Sequence, residues 1–359
     1  MKKKNLFKSG TNKKNFITYA LVIVCFAVVE ALKVSGGLKA SAKGMLVPIC
    51  AYIIMALSLN LTVGILGELS LGHAGFMSVG AYFGVTVAMI LDGSGLGDLP
   101  RLIIAILVGT IAGGIFGFLI GIPVLRLNGD YLAIVTLAFG EIIKSIINNC
   151  YVAVDGAGVH FAFLNSEKMA LDENARLILQ GAMGIKNISR ISTFEVGIVL
   201  ILISLFVIFN FISSRMGRAI MAIRDNRIAA ESVGIPIAKY KMVAFVISAA
   251  IAGAAGALFG MNYSTLMPSK FGFNQSILIL VFVVLGGQGN MLGSVIAAAA
   301  LTILPEALRE FSDYRMLVYA IVLILFMLLS HNPKLKTWTE KIKEKFFAKK
   351  KNKEVLTNE

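Results

Sequence analysis

The chain is dominated by apolar runs long enough to cross a lipid bilayer as helices. These runs are continuous over about 17–25 residues, whereas strands of a membrane β-barrel would alternate apolar and polar residues over about ten positions. The pattern predicts an all-α polytopic membrane protein with about ten transmembrane helices, one or more of them broken. The predicted spans are residues 15–32, 45–66, 73–91, 101–125, 131–149, 194–212, 242–262, 273–286, 293–308 and 316–331.

Two of these runs, 273–286 and 293–308, are shorter than a full span, so a re-entrant pair is the alternative there. The first run could instead be a cleavable signal that ends at Ala40-Ser41-Ala42. About ten residues separate the run from that triplet, which favours a retained anchor.

Composition and charge give the bundle an orientation. Hydrophobic residues make up 57% of the 359 positions, charged residues 15%, and the mean hydropathy is +0.82. The net charge of +14 comes mainly from the N-terminal tail, the segment Arg215–Lys241 and the C-terminal tail. Because basic loops stay on the cytoplasmic side, all three are predicted to be cytoplasmic. Topology thus explains the charge, and no nucleic-acid partner is expected.

This orientation divides the chain into a basic cytoplasmic tail (1–15), a transmembrane domain (16–331) and a second basic cytoplasmic tail (332–359). Residues 150–193 are predicted to form an extracytoplasmic loop, and residues 213–241 a cytoplasmic loop. Since both termini lie on one side, the number of crossings must be even.

The basic segment Arg215–Lys241 has the pattern of a compact polar helix between two apolar runs. A helix is predicted from Met216 to Val233, with Gly234 as a left-handed cap and Pro236 preventing continuation. Such a segment can form a rigid contact surface for a cytoplasmic partner. The alternative is an amphipathic helix that lies on anionic lipid.

The stretch Asn60–Val85 is an apolar run interrupted by glycines and ionisable residues. Glycines and a carboxylate at membrane depth are tolerated where the backbone is buried in protein or lines an aqueous cavity. A broken helix is therefore predicted. The alternative is a short interfacial turn at which Glu68 and His73 are simply hydrated.

Glu141 and Lys144 lie three residues apart inside the fifth apolar run and share one helix face. Mutual neutralisation in a structural pair is the favoured interpretation. A cavity-lining pair and a proton-coupling carboxylate are the alternatives, although the neighbouring lysine should hold Glu141 ionised.

Small residues recur every four positions in two runs, Gly109, Gly113, Gly117 and Gly121, and Ser248, Ala252, Gly256 and Gly260. Such stripes allow helix backbones to approach closely, and packing within the bundle is the favoured interpretation. A subunit interface or a sliding helix is the alternative.

No catalytic or metal site can be assembled from the sequence. The three cysteines and three histidines are scattered without ligand spacing, and no Gly-x-x-x-x-Gly-Lys-Ser/Thr motif occurs. The chain is expected to hold no cofactor and to hydrolyse no ATP itself. Gly286-Gly287-Gln288-Gly289 is predicted to be a tight turn.

Four segments together resemble the permease subunit of bacterial branched-chain amino acid ABC importers, closest to the LivM-type member of the permease pair. They are LNLTVGILGELSLGHAGFMSVGAY, RLNGDYLAIVTLAFGEI, GRAIMAIRDNRIAAESVGIPIAKYKMVAFVISAAIAGAAGAL and VLGGQGNMLGSVIAA, in this order. The resemblance covers roughly residues 45–330. It implies a permease bundle in the bacterial plasma membrane that works with a second, similar permease. Two cytoplasmic ATPases that use ATP and Mg²⁺, and an extracytoplasmic solute-binding protein, would complete the importer.

The resemblance also assigns roles to residues. The translocation pathway is expected to include Asn60, Gly64, Gly67, Glu68, Gly72, His73, Gly75, Asn128, Asp130, Thr136 and Glu141. Contact with an ATPase is expected for Arg218, Arg224, Asp225, Arg227, Ala229, Ala230, Gly234 and Lys239. The small residues of this second group would allow close approach, and the charged ones would supply polar contacts around them.

The chain departs from the family pattern after the fifth span. The nearest match to a Gly-Gly-Pro-x-Gly element is Gln180–Ile185, delayed by the apparent insertion Tyr151–Leu179. The insertion has a mixed-charge, partly helical pattern; a solvated loop is the favoured interpretation, and contact with the binding protein is the alternative hypothesis.

Two other functions remain open at this level. One is import of a different small solute, such as a nucleoside, sugar or amide, by the same machinery. The other is a secondary carrier coupled to an ion gradient through Glu68 and Glu141. A membrane-embedded enzyme is disfavoured, because no paired carboxylates, metal set or nucleophile–base arrangement stands out.

Overall fold

The structure is a computed structural model that describes residues 6–35, 40–93, 95–127, 129–155, 158–164 and 176–308, and positions 317, 320, 321 and 324. The chain divides into two compact units, Met1–Thr302 and Ile303–Glu359. Helices account for most of the first unit. They are α1 (Leu6–Val34), α2 (Ala40–Asn60), α3 (His73–Ile90), α4 (Asp98–Val124), α5 (Asp130–Asn148), α6 (Phe194–Ser213), α7 (Arg215–Asp225), α8 (Arg227–Ser232), α9 (Ile237–Gly260), α10 (Phe273–Gly286) and α11 (Met291–Ala307), which continues into the second unit.

Six described segments are long and apolar enough to cross a membrane: Asn15–Val34, Ala42–Leu66, His73–Ile90, Asp98–Val124, Phe194–Ser213 and Ile237–Gly260. Each coincides with a predicted span. Helices α5, α10 and α11 also form at predicted positions, but α10 and α11 are short and α5 carries three charged residues. The last predicted span, 316–331, and the tail 332–359 fall almost wholly outside the described residues, so the count of about ten is not established. Helix α1 begins at Leu6, inside the predicted tail 1–15.

Helix α9 is the centre of the bundle and packs against α2, α3 and α4. Small residues make this possible, since β-carbons built at Gly80, Gly253 or Gly256 would collide with backbone atoms of the facing helix. A β-carbon at Gly113 of α4 would lie 2.6 Å from the Ala249 carbonyl oxygen of α9. The prediction that the small-residue stripes serve packing within the bundle is therefore confirmed.

A five-stranded antiparallel sheet closes one end of the bundle, with the order β2-β1-β3-β4-β5. The strands are β1 (Cys150–Asp155), β2 (Gly158–Phe163), β3 (Arg176–Gln180), β4 (Ile185–Lys186) and β5 (Thr265–Leu266). Strands β1 to β4 lie between α5 and α6 in the sequence, and β5 follows α9. We call this the sheet end; α7 and α8, together called the connector, lie between α6 and α9 at the opposite, connector end.

The fold is mostly helical, as predicted, but it also contains this small sheet, and the described parts of the insertion Tyr151–Leu179 form strands. The runs on either side of residues 156–157 are rich in Val, Ala and Phe, and such residues favour the pleated surface of a strand. The charged positions Glu167, Lys168, Asp172 and Glu173 lie outside the described residues.

The connector also differs from the single helix predicted for Met216–Val233. The chain leaves the helical conformation at Asn226 (φ −155°, ψ 104°), whose side-chain oxygen accepts a hydrogen bond from the Ala229 amide at 3.0 Å and so caps α8. Ser214 caps α7 in the same way, through the Gly217 amide at 3.1 Å. The prediction for Gly234 is confirmed, because its φ is +81°.

Candidate functional site

The chain is interrupted between α2 and α3, as predicted. Helix α2 changes at Leu61 into a single π-helical stretch, Leu61–Leu66, all six residues of which are buried. Gly67 then adopts a left-handed conformation (φ +80°), and helix resumes only at His73. We call residues 61–72 the break. π-Helical turns inside α-helices are rare and occur frequently at functional sites.

The alternative of a hydrated turn does not fit His73, Thr62 and Ser70, which are buried, whereas the Glu68 side chain is 12% exposed and lines a cavity. His73 is 1% exposed, with Nδ1 3.1 Å from Ser70 Oγ and Nε2 2.8 Å from Ser248 Oγ. Ser248, on α9, is also within 2.9 Å of Thr62 Oγ1 and donates to the Ser58 carbonyl oxygen at 2.7 Å. This network ties both sides of the break to the central helix.

The break is also tied to the turn between α10 and α11. Asn60 Oδ1 accepts a hydrogen bond from the Gly289 amide at 2.7 Å, and its Nδ2 donates to Ser294 Oγ at 2.8 Å. A β-carbon at Gly64 would collide with the Gly289 backbone. Gly287 and Gly289 both have positive φ, so the tight turn predicted for Gly286–Gly289 is confirmed.

Helix α5 covers a further side of the break. The Leu71 amide donates to Thr136 Oγ1 at 3.0 Å, and a β-carbon at Gly72 would collide with the Thr136 carbonyl. One turn further along, a β-carbon at Gly75 would lie 2.9 Å from Gly140 Cα. The glycines of this region are therefore required by close helix contacts.

Two cationic side chains reach the break from the connector end. Lys241 of α9 forms an ion pair with Glu68, and their side chains are 4% and 12% exposed. Arg224 of α7 donates from Nη1 to the Gly64 carbonyl oxygen at 2.9 Å and from Nη2 to Asp225 Oδ1 at 3.0 Å. The pair of Glu68 and Lys241 is thus largely desolvated, whereas Arg224 and Asp225 remain 37% and 70% exposed.

A cavity of about 420 Å³ opens at this point. Its charged lining comes from Glu68, Asp130, Arg224, Arg227 and Lys241, and its apolar lining includes Leu66, Leu69 and Ile223. The volume lies within the range of small-molecule sites. The cavity thus joins the break to the start of α5 and to the connector.

The pair formed by Glu141 and Lys144 is separate from this cavity. Lys144 Nζ lies 2.7 Å from Glu141 Oε2, which confirms the predicted structural pair. The other carboxylate oxygen accepts a hydrogen bond from the Phe273 amide at 3.1 Å. Glu141 therefore caps the first turn of α10, an additional role that supports the start of this short helix.

Within the residues that the structure describes, no three His, Cys, Asp or Glu side chains form a cluster that could hold a metal ion.

Residues 41–327 match the family described as branched-chain amino acid transport system, permease component. The chain belongs to this family.

Individual family members show the same likeness. The chain is 38% identical over 287 residues to the high-affinity branched-chain amino acid transport system permease protein LivM of Salmonella typhimurium, a match that covers 77% of this chain and 66% of LivM. The chain thus spans slightly less than two thirds of that relative. It is 24% identical to the permease protein BraD of Pseudomonas aeruginosa, covering 70% of this chain and 79% of BraD. It is also 24% identical to the fructose import permease FruG of Bifidobacterium longum, covering 70% of this chain and 73% of FruG. No solved structure matches the chain significantly.

In this family member, most predicted pathway residues come together. Asn60, Gly64, Gly67, Glu68, Gly72, His73, Gly75 and Thr136 lie at or against the break, and Asp130 lines the cavity beside it. Glu141 lies elsewhere, at the start of α10. Asn128 lies outside the described residues.

The residues predicted to contact an ATPase divide into two groups. Arg218, Asp225, Arg227, Ala229, Gly234 and Lys239 are exposed on or beside the connector. Ala230 is only 4% exposed and packs inward, and Arg224 reaches the break. Two exposed apolar side chains of the same surface were not predicted, Ile228 (81% exposed) and Val233 (75% exposed).

Sequence reasoning also missed Thr62 within the break and several residues that contact the break or Asn60 beside it, namely Ser58, Lys241, Ser248, Gly289 and Ser294. Lys241 and Ser248 were visible only as the end of a basic segment and as part of a small-residue stripe. Ser248 is the polar member of a series of small residues that is otherwise Ala and Gly. A polar residue in such a series is the one sequence signal from which a buried hydrogen-bond network could have been predicted.

Proposed function

We propose that the chain is a membrane-spanning permease subunit of an ATP-driven importer and forms part of the translocation pathway for branched-chain, aliphatic amino acids. The observation that carries this proposal is the family match over residues 41–327, together with 38% identity to LivM. An extracytoplasmic binding protein delivers the solute. The chain itself performs no covalent chemistry.

The connector supports the partnership with an ATPase. Ile228 and Val233 are exposed on a polar surface, next to Ala229 and Gly234, which leave room for a close contact. An apolar anchor ringed by charged groups is the usual organisation of a protein interface. In the proposed importer, two cytoplasmic ATPases bind ATP and Mg²⁺, and a second, homologous permease completes the membrane unit.

The proposed topology puts the connector end in the cytoplasm and the sheet end outside. The basic residues of Arg215–Lys241 and of both tails favour this orientation. With the ten predicted spans, this orientation places both termini in the cytoplasm of a bacterium. The five-stranded sheet then faces the binding protein.

The break is the proposed central element of the pathway. Interrupted helices at membrane depth expose backbone groups to a solute while the surrounding protein satisfies the rest. ATP binding would draw the ATPases together, displace the connector and shift the bundle between outward-open and inward-open states, which must differ in their contacts. Weak solute contacts along the route allow release.

Import of a sugar by the same machinery is the second candidate, because FruG is a fructose import permease by name. Its identity to this chain, 24%, is well below the 38% of LivM. An ion-coupled carrier has less support, since the carboxylates it would use are engaged in ion pairs, Glu68 with Lys241 and Glu141 with Lys144.

Purification of the tagged chain from its native membrane in mild detergent, followed by mass spectrometry, tests the proposed assembly. We expect a second permease of the same family and an ATPase to remain bound. Recovery of the chain without an ATPase, in a preparation that still transports amino acids, contradicts the proposal.

A further inference from the structure

Arg224 is a connector residue whose side chain is 37% exposed but whose guanidinium reaches the backbone of the break. Its Nη1 donates to the Gly64 carbonyl oxygen at 2.9 Å. Its Cγ lies 2.6 Å from the position that a β-carbon at Gly67 would occupy, so only glycine admits the arginine there. The Arg224 side chain therefore contacts the π-helical turn with its guanidinium and the left-handed residue that ends this turn with its aliphatic part.

Neighbouring groups fix the orientation of this guanidinium. Asp225 Oδ1 accepts hydrogen bonds from Arg224 Nε at 3.2 Å and from Nη2 at 3.0 Å, which leaves Nη1 directed at Gly64. The rigid, planar donor set of arginine suits such simultaneous contacts. Ile220 and Ile223 of the same helix are buried, so α7 is anchored to the bundle along its inner side.

The contact continues beyond Gly64. The backbone of Gly64 packs against Gly289, and the Gly289 amide donates a hydrogen bond to Asn60, the last residue of α2 before the break. Gly289 lies in the turn that joins α10 to α11. A continuous chain of contacts thus runs from α7 through the break to that turn.

We propose that Arg224 transmits displacement of the connector to the break, and through Gly289 to the turn between α10 and α11. The proposal rests on the proposed function and gives Arg224 the role of a positioning residue, not of an ATPase contact. A change of state requires an element that has different contacts in the two states, and in this proposal the bond from Arg224 to the Gly64 carbonyl is the contact that differs. Loss of this bond should uncouple ATP hydrolysis from solute movement, while the surfaces that bind the ATPase and the binding protein stay intact.

The test compares Arg224→Gln, Arg224→Lys and the wild type in the complete importer, reconstituted into proteoliposomes with its binding protein. ATP hydrolysis and solute uptake are measured on the same preparation. For Arg224→Gln we expect preserved ATPase association and continued hydrolysis, with uptake per ATP lower by about tenfold, a typical coupling effect. Arg224→Lys keeps the charge without the planar donor set and should give an intermediate ratio.

Arg126→Gln is the matched control. Arg126 is an exposed arginine between α4 and α5, at the same end of the bundle, and its substitution should leave the ratio unchanged. The proposal is overturned if Arg224→Gln keeps the wild-type ratio, or if hydrolysis and uptake fall in parallel.

If the Arg224→Gln importer does not assemble, the ratio of uptake to ATP hydrolysis is measured for Asp225→Asn instead. Loss of the carboxylate removes the acceptor charge that orients the guanidinium, and the ratio should fall; a wild-type ratio overturns the proposal. A wild-type importer that shows no ATP-driven uptake contradicts the proposed function itself, an outcome distinct from failure of the role of Arg224.

Discussion

At the scale of single residues, the break depends on polar groups that neutralise one another inside the bundle. Glu68 and Lys241 form the most buried ion pair among the residues that the structure describes. Intramembrane ionisable groups are costly to bury, and pairing offsets that cost. A buried pair adds little stability over apolar residues, but removal of one partner leaves an uncompensated charge.

Substitution of Glu68 by Gln should therefore destabilise the protein strongly. Lys241 would remain charged and 4% exposed, with a predicted loss of about 3 kcal/mol in the free energy of unfolding. The double substitution Glu68→Gln with Lys241→Met should recover most of the loss. Thermal unfolding of the purified protein in detergent measures the difference.

The pair Lys33–Glu195 provides the matched control. It is a close pair, 2.6 Å, but its side chains are 35% and 48% exposed. Solvent screening makes such pairs worth less than about 1 kcal/mol, so Glu195→Gln should change the unfolding temperature little. Equal effects of Glu68→Gln and Glu195→Gln would contradict the importance of burial at the break.

Sequence reasoning identified one partner of each buried contact but not the other. Glu68 and His73 stand out because they interrupt an apolar run. Their partners Lys241 and Ser248 lie more than 170 residues away along the chain. Hydrophobic periodicity gives the face of a helix and contains no information about which distant face packs against it, so these contacts required the structure.

At the scale of elements, the contact between α4 and α9 depends on backbone proximity. Gly113 and Gly114 are adjacent on α4 but have different surroundings. A β-carbon at Gly113 would lie 2.6 Å from the Ala249 carbonyl oxygen, whereas one at Gly114 would lie 3.6 Å from the Ala250 side chain. The first is a collision and the second an ordinary contact.

Gly113→Ala should therefore destabilise the bundle and Gly114→Ala should not. Overpacking at a tight contact costs about 1–3 kcal/mol, and neither glycine needs a positive φ. Thermal unfolding of the two variants, prepared identically, makes the comparison. A greater loss for Gly114→Ala would show that this helix pair is packed differently.

The connector gives a second test at this scale. Ile228 is 81% exposed and provides the apolar centre of the proposed ATPase contact. Ile228→Asp should weaken ATPase binding by about 2 kcal/mol, roughly thirtyfold, in a pull-down titration, while Ile228→Leu should retain it. Retention of binding by Ile228→Asp would contradict docking through α8.

Ala229→Trp is a better steric probe than a substitution of Ala230 or Gly234. Ala230 is buried and Gly234 has a φ of +81°, so bulky residues at those positions would strain the connector itself. Ala229 is exposed. We expect Ala229→Trp to reduce ATPase association in the same titration without a change in unfolding temperature.

The sequence predicts the long apolar helices correctly. It does not predict the elements that depend on short local signals, such as the strands of the sheet and the cap that divides the connector. Long apolar runs gave α2, α3, α4, α6 and α9, because length and hydropathy alone define a span. Strands β1 and β2 were missed although their residues favour strands, since the charged residues of the insertion suggested a helix. The division of the connector at Asn226 was missed because its capping preference was not weighed against helix continuity.

At the scale of the whole molecule, the two surfaces that we propose to contact partner proteins lie at opposite ends of one bundle. The strands and the end of α9 form one end, and the break, the cavity and the connector lie at the other. Helix α9 connects the two ends: Lys241 and Ser248, near its start and middle, contact the break, and its C-terminal end leads to β5 of the sheet. An importer needs this separation, because solute delivery and ATP hydrolysis take place on opposite sides of the membrane.

The most direct test of the proposed function is uptake of radiolabelled leucine into proteoliposomes that contain the purified complex, the binding protein and enclosed ATP. The account predicts uptake that requires ATP hydrolysis, is competed by isoleucine and valine, and persists when ionophores collapse ion gradients. Uptake without ATP that stops when a proton or sodium gradient is dissipated would contradict it and would make Glu68 and Glu141 the coupling residues.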